Sequence, residues 1–350
     1  MNEMPPDSME RKMFARESTF IIAELSANHN GRVERAEALV RAAADAGADA
    51  VKLQTYTADT MTIPCDSEWF RIKGTLWEGR TLYELYQEAA MPWEWQPRLK
   101  ALANGLGMEC FSTPFDATAV DFLETMDVPC YKVASFEVVD IPLLKKIAST
   151  GKPVIMSTGM ACLAEIDEAV TTLRENGTRE LALLKCTSAY PAPPEEANLR
   201  TIPHLAQAFT CVAGLSDHTL GSSVAVAAVA LGARIVEKHC TLSRADGGPD
   251  GAFSMEPDEF RQMVRDIRTV EKALGTVCYD LTPRQQESKV FRRSLFVVKD
   301  MQAGEVFTEE NVRCIRPGYG LAPKLLPLVL GRTARRAITS GTPVTWNSIG

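Results

Sequence analysis

Lysine inside an apolar, β-branched run carries a large desolvation penalty. The sequence makes that placement at Lys52 in AVKLQ and Lys132 in CYKVAS, among others. Each ammonium needs an anion. A carboxylate of the chain such as Glu24 or Glu137 would serve, and for either lysine alone that is the simpler account. The set argues otherwise. Thr113, Ser135, Ser157 and Ser216 end comparable runs, and two ammonium groups ringed by hydroxyls suit a phosphate. Such clustering favours a bound anion over separate structural pairings.

Two of the four histidines, His218 and His239, close runs of the same kind. Neutral imidazoles are common metal ligands, and two of them leave positions open for water and substrate. A general base beside a hydrogen-bonded structural histidine fits the residues equally well. His29, in NHNG, reads as a turn-shaping residue and His204 as part of a surface helix. Gln54, two residues after Lys52, and Tyr190 join the candidate set with Glu24.

What must position these groups is visible in the pattern. Short apolar runs recur eight times: FIIAEL (20–25), AVKLQ (50–54), MECFSTP (108–114), CYKVAS (130–135), PVIMST (153–158), LALLKCT (181–187), VAGLSDH (212–218) and RIVEKHC (234–240). Amphipathic stretches separate them. The first carries Val33, Ala36, Leu39, Val40 and Ala43 at helical spacing, with Gly47 as its stop signal. Strand–helix alternation implies parallel pairing, and eight units in about 260 residues predict a closed (β/α)8 TIM barrel. An open doubly wound sheet would carry a glycine-rich phosphate loop after its first strand, which this chain lacks. Barrel active sites lie at the C-terminal strand ends, where the candidate residues fall.

The chain divides by character into a polar leader (1–17), the barrel (18–275), a polar linker (276–290) and a small β-rich region (291–350), the last too short for a large core of its own. Within the barrel, the loop at 55–95 holds four of the five tryptophans and is a candidate lid or wall over the site. It serves equally well as an inserted surface helix. A net charge of −7 argues against nucleic acid as a general partner while allowing a local basic site. No apolar run approaches the roughly 20 residues that cross a bilayer, and the first residues lack the apolar core of a secretory signal. A cytoplasmic enzyme without a membrane partner is the expectation. The nine cysteines include no C-x-x-C pair and read as reduced thiols filling the core.

Eight motifs then carry a family resemblance: AELSANHNG (23–31), GADAVKLQTYT (47–57), FSTPFD (111–116), YKVASFE (131–137), GKPVIMSTGM (151–160), GLSDHT (214–219), EKHCTLSR (237–244) and GGPDGAFSMEP (247–257). Together they resemble the sialic acid synthases. The tail, with RRSL (292–295) and IRPGYGL (315–321), resembles the antifreeze-like (SAF) domain of the same enzymes. Ser188 in CTSAYP, and Ala134–Ser135–Phe136–Glu137 where neuraminic-type enzymes read G-S-G-E, place the chain with the pseudaminic branch, as do GTLWEG, LYELY and PWEW.

The resemblance implies a metal-dependent condensation of phosphoenolpyruvate with an acetamido sugar. In the pseudaminic branch that sugar is 2,4-diacetamido-2,4,6-trideoxy-β-L-altropyranose; N-acetylneuraminate and legionaminate synthases run the same chemistry. It implies His218 and His239 as ligands of Mn²⁺, Mg²⁺ or Co²⁺. Lys52, Thr113, Lys132, Ser135, Ser157 and Ser216 would face phosphoenolpyruvate, and Gln54, Glu137, Ser188, Tyr190 and Asp250 the sugar. Glu24 would orient or deprotonate the attacking water, and Glu137 would manage the sugar's hydroxyl protons. Arg316 would reach in from a partner subunit of a domain-swapped homodimer. Trp69, Trp77 or Tyr83 would supply apolar contact to the sugar's 6-methyl and 4-acetamido groups. A non-catalytic sugar- or ice-binding module is the rival outside enzymes; it has no need of a metal beside an anion cradle. Other phosphoenolpyruvate aldol enzymes of the sugar-acid class lack the tail that bears Arg316.

Overall fold

A computed structural model describes residues 16–350; most of the expected leader lies outside the described residues. Eight strands form in the eight apolar runs: β1 (Phe20–Glu24), β2 (Ala50–Thr55), β3 (Glu109–Pro114), β4 (Tyr131–Val133), β5 (Val154–Ser157), β6 (Leu181–Cys186), β7 (Val212–Asp217) and β8 (Ile235–His239). They pair in sequence order, all parallel, and β8 returns to β1 to close the barrel. Each strand is buried on both faces, which is why the runs read as continuous rather than alternating.

Helices cover the barrel: α1 (Val33–Ala46), α2 (Ala58–Met61), α3 (Leu82–Ala89), α4 (Gln96–Gly105), α5 (Ala117–Thr125), α6 (Ile141–Ala148), α7 (Leu163–Glu175), α8 (Thr201–Phe209), α9 (Ser223–Ala230) and α10 (Pro257–Leu274). Helix α1 buries Ala36, Leu39, Val40 and Ala43 and stops at Gly47, whose left-handed backbone (φ 90°) returns its N–H to the carbonyls of Ala43 and Ala44. On α10, Phe260, Met263, Val264 and Ile267 form the matching apolar stripe in the same core cluster. Each such side chain contributes roughly 1.5–3 kcal/mol by leaving water.

The 55–95 loop folds as α2 and α3, with a bridge between Arg71 and Thr81. Tyr56 meets Tyr86 and Phe115 edge to face (5.8 and 5.1 Å), and the Trp93 indole donates to the Tyr56 carbonyl. It is a packed insertion, and its inner side faces the barrel mouth.

Residues 276–350 form a second compact unit. A short helix at Pro283–Glu287 occupies the stretch that reads as linker. Strands β9 (Ser294–Val297) and β10 (Val312–Ile315) then pair antiparallel. Leu295, Val297, Met301, Phe307, Val312 and Val344 lie at the centre of a small apolar core.

One glycine fixes a strand spacing. A Cβ on Gly214 in β7 would lie 2.3 Å from the Ile235 carbonyl oxygen and 2.8 Å from Leu184 Cδ2. Gly214→Ala is therefore expected to cost roughly 1–3 kcal/mol of stability by overpacking, read from urea denaturation. An unchanged midpoint would mean that this approach is looser than it looks.

Candidate active site

The C-terminal mouth of the barrel opens into a cavity of about 290 Å³. Its walls include Lys52, Gln54, Lys132, Ser135, Glu137, Ser157, Tyr190, Ser216, His218, His239 and Asp250, each a candidate from the sequence. Strand register explains the convergence: Glu24 is level with Lys52 on one side and His239 on the other, and Gln54 with Thr113.

The two lysines differ. Lys52 Nζ lies 2.9 Å from Glu24 Oε2 and 3.1 Å from Glu237 Oε1, all three groups buried. Gln54 Nε2 donates to Glu24 Oε1 at 3.0 Å, and Ser216 Oγ to Glu237 Oε1 at 3.1 Å. Lys52 thus has internal carboxylates, as the simpler account of it supposes. Lys132 Nζ instead donates to Ser157 Oγ (2.6 Å) and the Val133 carbonyl (2.8 Å), and among the described residues it enters no ion pair.

The titration behaviour follows from this wiring. Burial pulls Lys132 down to about 8, with Glu237 opposing and Lys52 adding to the fall. Burial would lower Lys52 too, but Glu237 and Glu24 outweigh it and hold that ammonium above its ordinary value. Burial raises the Glu24 carboxyl well above the usual range, with Lys52 pulling back. Burial would also raise Glu237, yet Lys132 and Lys52 together keep it below its usual value. Glu137 is pushed by burial up to about 7, partly offset by Lys132, and its Oε2 has no hydrogen-bond partner among the described residues. The result is a corner in which Lys132 feels Glu237 at longer range but makes no direct ion pair with a carboxylate among the described residues.

The His218 and His239 rings lie 5.2 Å apart, centroid to centroid. His218 Nδ1 is 2.9 Å from the Thr187 carbonyl, to which Nδ1–H donates. Burial would lower this ring, but Cys186 and that carbonyl raise it above its ordinary value, so Nε2 is open to a ligand once the ring loses its second proton. His239 Nδ1 is buried without a partner among the described residues, and burial together with His218 holds that ring neutral. These nitrogens fit a two-ligand metal site whose other positions go to water and substrate. No group of three or more His, Cys, Asp or Glu suited to a metal occurs among the described residues, so no closed protein cage is present there.

Aromatic rings roof the histidines. Tyr190 lies 4.4 Å from His218, Phe253 5.0 Å from His239, and Trp77 5.9 Å from Tyr190. The Trp77 indole donates to the Pro249 carbonyl at 2.9 Å, tying the insertion to the loop after β8. Met61, Leu85, Tyr86 and Phe115 complete an apolar side of the cavity. Trp69 is 83% exposed and the Tyr83 hydroxyl bonds Asp59; neither lines the cavity, so of the three expected contacts only Trp77 stands there.

Four further candidates are not among the lining residues. Glu24 and Thr113 are buried beside the cavity, the Thr113 hydroxyl without a partner among the described residues. Ser188 packs against the turn after β5, where a Cβ on Gly159 would meet Ser188 Oγ at 2.3 Å and Ser135 Oγ at 2.8 Å. Arg316 belongs to the second unit and is exposed there. Asp250 bonds the Ser26 hydroxyl. His29 accepts from the Gly31 N–H at 3.0 Å, as a turn residue would, and His204 is exposed on α8.

Two residues escape the sequence reading. Glu237 stands two positions before His239 in β8, so the strand period alone places it on the same inward face. Cys186, taken as core filling, lines the cavity 3.9 Å from His218 Nδ1 and Ser188 Oγ. Burial would raise its thiol, but His218 brings it down to about 7. Cys162 and Cys278 are exposed, so not every cysteine is a core residue.

The sequence profile of the NeuB family matches residues 39–279, and that of the SAF domain residues 292–349. The chain belongs to the NeuB family. Within it, the chain is 45% identical over 322 residues to the pseudaminic acid synthase of Campylobacter jejuni strain 81-176, spanning 92% of this chain and 94% of that one. It is 43% identical to the pseudaminic acid synthase of Helicobacter pylori, over 94% and 97% of the two chains. The N,N'-diacetyllegionaminic acid synthase of Legionella pneumophila is more distant, at 37% over 94% of each chain. Among solved structures, the N-acetylneuraminic acid synthetase of Leptospira borgpetersenii, crystallised with citrate, superposes with a TM-score of 0.69 at 32% identity, covering 77% of this chain and 90% of that one. The NeuB-family barrel is thus the frame for both the lysine and the histidine clusters.

The contrast between the lysines is testable in the folded chain. Lys52→Met leaves Glu24 and Glu237 facing each other in the core and is expected to lose roughly 3–5 kcal/mol, as for any broken buried pair. Lys132→Met removes a cation that no carboxylate pairs and is expected to leave the urea midpoint unchanged or higher. Equal losses in both variants would mean that Lys132 has a structural counter-charge.

Proposed function

We propose that this enzyme condenses phosphoenolpyruvate with 2,4-diacetamido-2,4,6-trideoxy-β-L-altropyranose and water, releasing pseudaminic acid and phosphate by C–O cleavage. The observation that carries the reading is Lys132, a buried ammonium bonded to the Ser157 hydroxyl and the Val133 carbonyl and without a carboxylate in ion-pair contact among the described residues. It stands beside two imidazoles in a chain whose nearly full-length relatives include pseudaminic acid synthases.

Lys52, Thr113, Lys132, Ser135, Ser157 and Ser216 face the phosphate or carboxylate of phosphoenolpyruvate and orient its double bond. Positioning of this kind contributes about 7–11 kcal/mol in favourable cases. His218 and His239 would hold a divalent ion (Mn²⁺, Mg²⁺ or Co²⁺), which when bound would supply Lewis-acid polarisation of the sugar's carbonyl oxygen. C3 of phosphoenolpyruvate then forms the new bond to the aldehyde carbon, and water adds at C2. Glu24, held by Lys52 and Gln54, takes the proton of that water; its raised affinity for protons suits it to a base working near neutrality. Collapse of the resulting hemiketal phosphate expels inorganic phosphate. Glu137, Ser188, Tyr190 and Asp250 bind the sugar's polar groups, and Glu137 exchanges protons with its hydroxyls.

The apolar side made by Met61, Trp77, Leu85, Tyr86 and Phe115 suits a sugar that carries a methyl group where others carry a hydroxyl. Arg316 completes the sugar site from the partner subunit of a domain-swapped homodimer, and the enzyme works in the cytoplasm. No helix among the described residues is long and apolar enough to cross a membrane.

Phosphate release in the presence of Mn²⁺ is expected with the diacetamido altrose derivative and not with N-acetylmannosamine. Release with N-acetylmannosamine alone would overturn the substrate while keeping the chemistry. The pH profile checks the cradle. Lys132 is charged below about 8 and neutral above it, so kcat/KM for phosphoenolpyruvate is expected to fall as pH rises through that value. A Lys132→Arg variant that keeps the same alkaline limb would assign the limb to another group.

A further inference from the structure

We infer that the buried ion pair between Asp217 and Lys238 is a positioning device for the two imidazoles, holding the end of β7 to the end of β8 so that His218 and His239 can share one ion. The inference rests on reading those histidines as metal ligands.

Both residues sit one position before a histidine and on the opposite face of the strand. Ser216, His218, Glu237 and His239 line the cavity, while Asp217 and Lys238 lie between them in sequence and are absent from its wall. Their side chains are only 2% and 1% exposed. Asp217 and Lys238 are also Cα partners, the last pair in the β7–β8 ladder. His218 is beyond the end of β7, so that ladder stops before reaching it.

What continues the connection is a three-point clamp. Lys238 Nζ donates to Asp217 Oδ2 at 2.6 Å and to the Thr219 carbonyl at 2.6 Å. Asp217 Oδ1 accepts from the Thr219 N–H at 2.9 Å. His218 is therefore bracketed on both sides by residues bound to the neighbour of His239. Its own carbonyl accepts from the Ala192 N–H at 3.0 Å, and its ring meets the Thr187 carbonyl, which anchor it to the loop after β6 but not to β8. On the other side, His239 is tied to β1 through its pairing with Glu24 and to the following loop through the Met255 N–H. Among these bonds the clamp is the one that sets the histidines against each other.

Energetics point the same way. A buried ion pair is no more stabilising than well-packed apolar residues of similar volume. What the pair adds is direction: short bonds at fixed angles, where leucine and methionine would leave the strand ends free to slide. Partners of metal ligands commonly change metal affinity 10–100-fold when removed.

The test uses full-length protein, Mn²⁺ titration followed by electron paramagnetic resonance, and calorimetric binding of phosphoenolpyruvate without metal. Replacing both members, Asp217→Leu with Lys238→Met, leaves no buried charge behind. The folded double variant is expected to bind Mn²⁺ roughly tenfold or more weakly while binding phosphoenolpyruvate as the unaltered protein does. If that variant does not fold, Asp217→Asn decides, because it keeps the shape and the acceptor for Thr219 but removes the charge; its Mn²⁺ affinity is expected to fall several-fold. Native Mn²⁺ affinity in whichever variant folds overturns the proposal. So does an equal weakening of Mn²⁺ and phosphoenolpyruvate, the mark of a merely structural pair. A His239→Ala variant that retains Mn²⁺ binding would overturn the reading of the histidines and the proposal with it. Loss of Mn²⁺ there, with native affinity in the ion-pair variants, would overturn the proposal alone.

Discussion

Closing eight parallel strands into a barrel turns alternate side chains of each strand inward, and at the C-terminal layer those side chains converge on one small volume. The chemistry of this chain follows from that convergence. Lys52 and Glu24 are level on adjacent strands, and Glu237, opposite Ile22 on the third and so two residues below Glu24, still lies within reach of the long Lys52 side chain. The same constraint brings His218 and His239 together from β7 and β8. Outward-facing positions answer to a different requirement, packing against the helices; most residues there are apolar, and the polar ones are hydrogen-bonded, as Thr55 and Ser112 are, or paired, as Asp217 and Lys238 are.

This separation of faces explains how much could be read without coordinates. Each of the eight strands forms in a run that is apolar because parallel strands are buried on both sides, and a polar residue in such a run had to have a reason. Lys52, Lys132, His218 and His239 were conspicuous for that cause. Glu237 was not, because one carboxylate among Lys238 and His239 reads as an ordinary polar strand end; only the period of two, applied strictly, separates it from Lys238. Which lysine is paired internally was beyond sequence, since that depends on register between strands rather than on order along them. Cys186 was hidden by its type: a thiol in a core run looks like core.

The insertion between β2 and β3 was the least legible element. Its aromatic content marked it as a wall, but aromatic residues serve equally well to hold a surface excursion together. Both uses occur here. Tyr56, Tyr86 and Trp93 pack the insertion on itself and on the barrel, while Trp77 reaches across to Pro249 and Trp69 faces solvent. Only contact geometry distinguishes the three roles.

Lys132 also has a consequence for the chain as a whole. A cation buried without a carboxylate is a defect in the ligand-free core, and an anion that fits it repairs the defect. Such an anion binds the native state and not the unfolded chain, so the fraction of folded protein rises with its concentration. An anion seated there would be, in this sense, the last residue of the core.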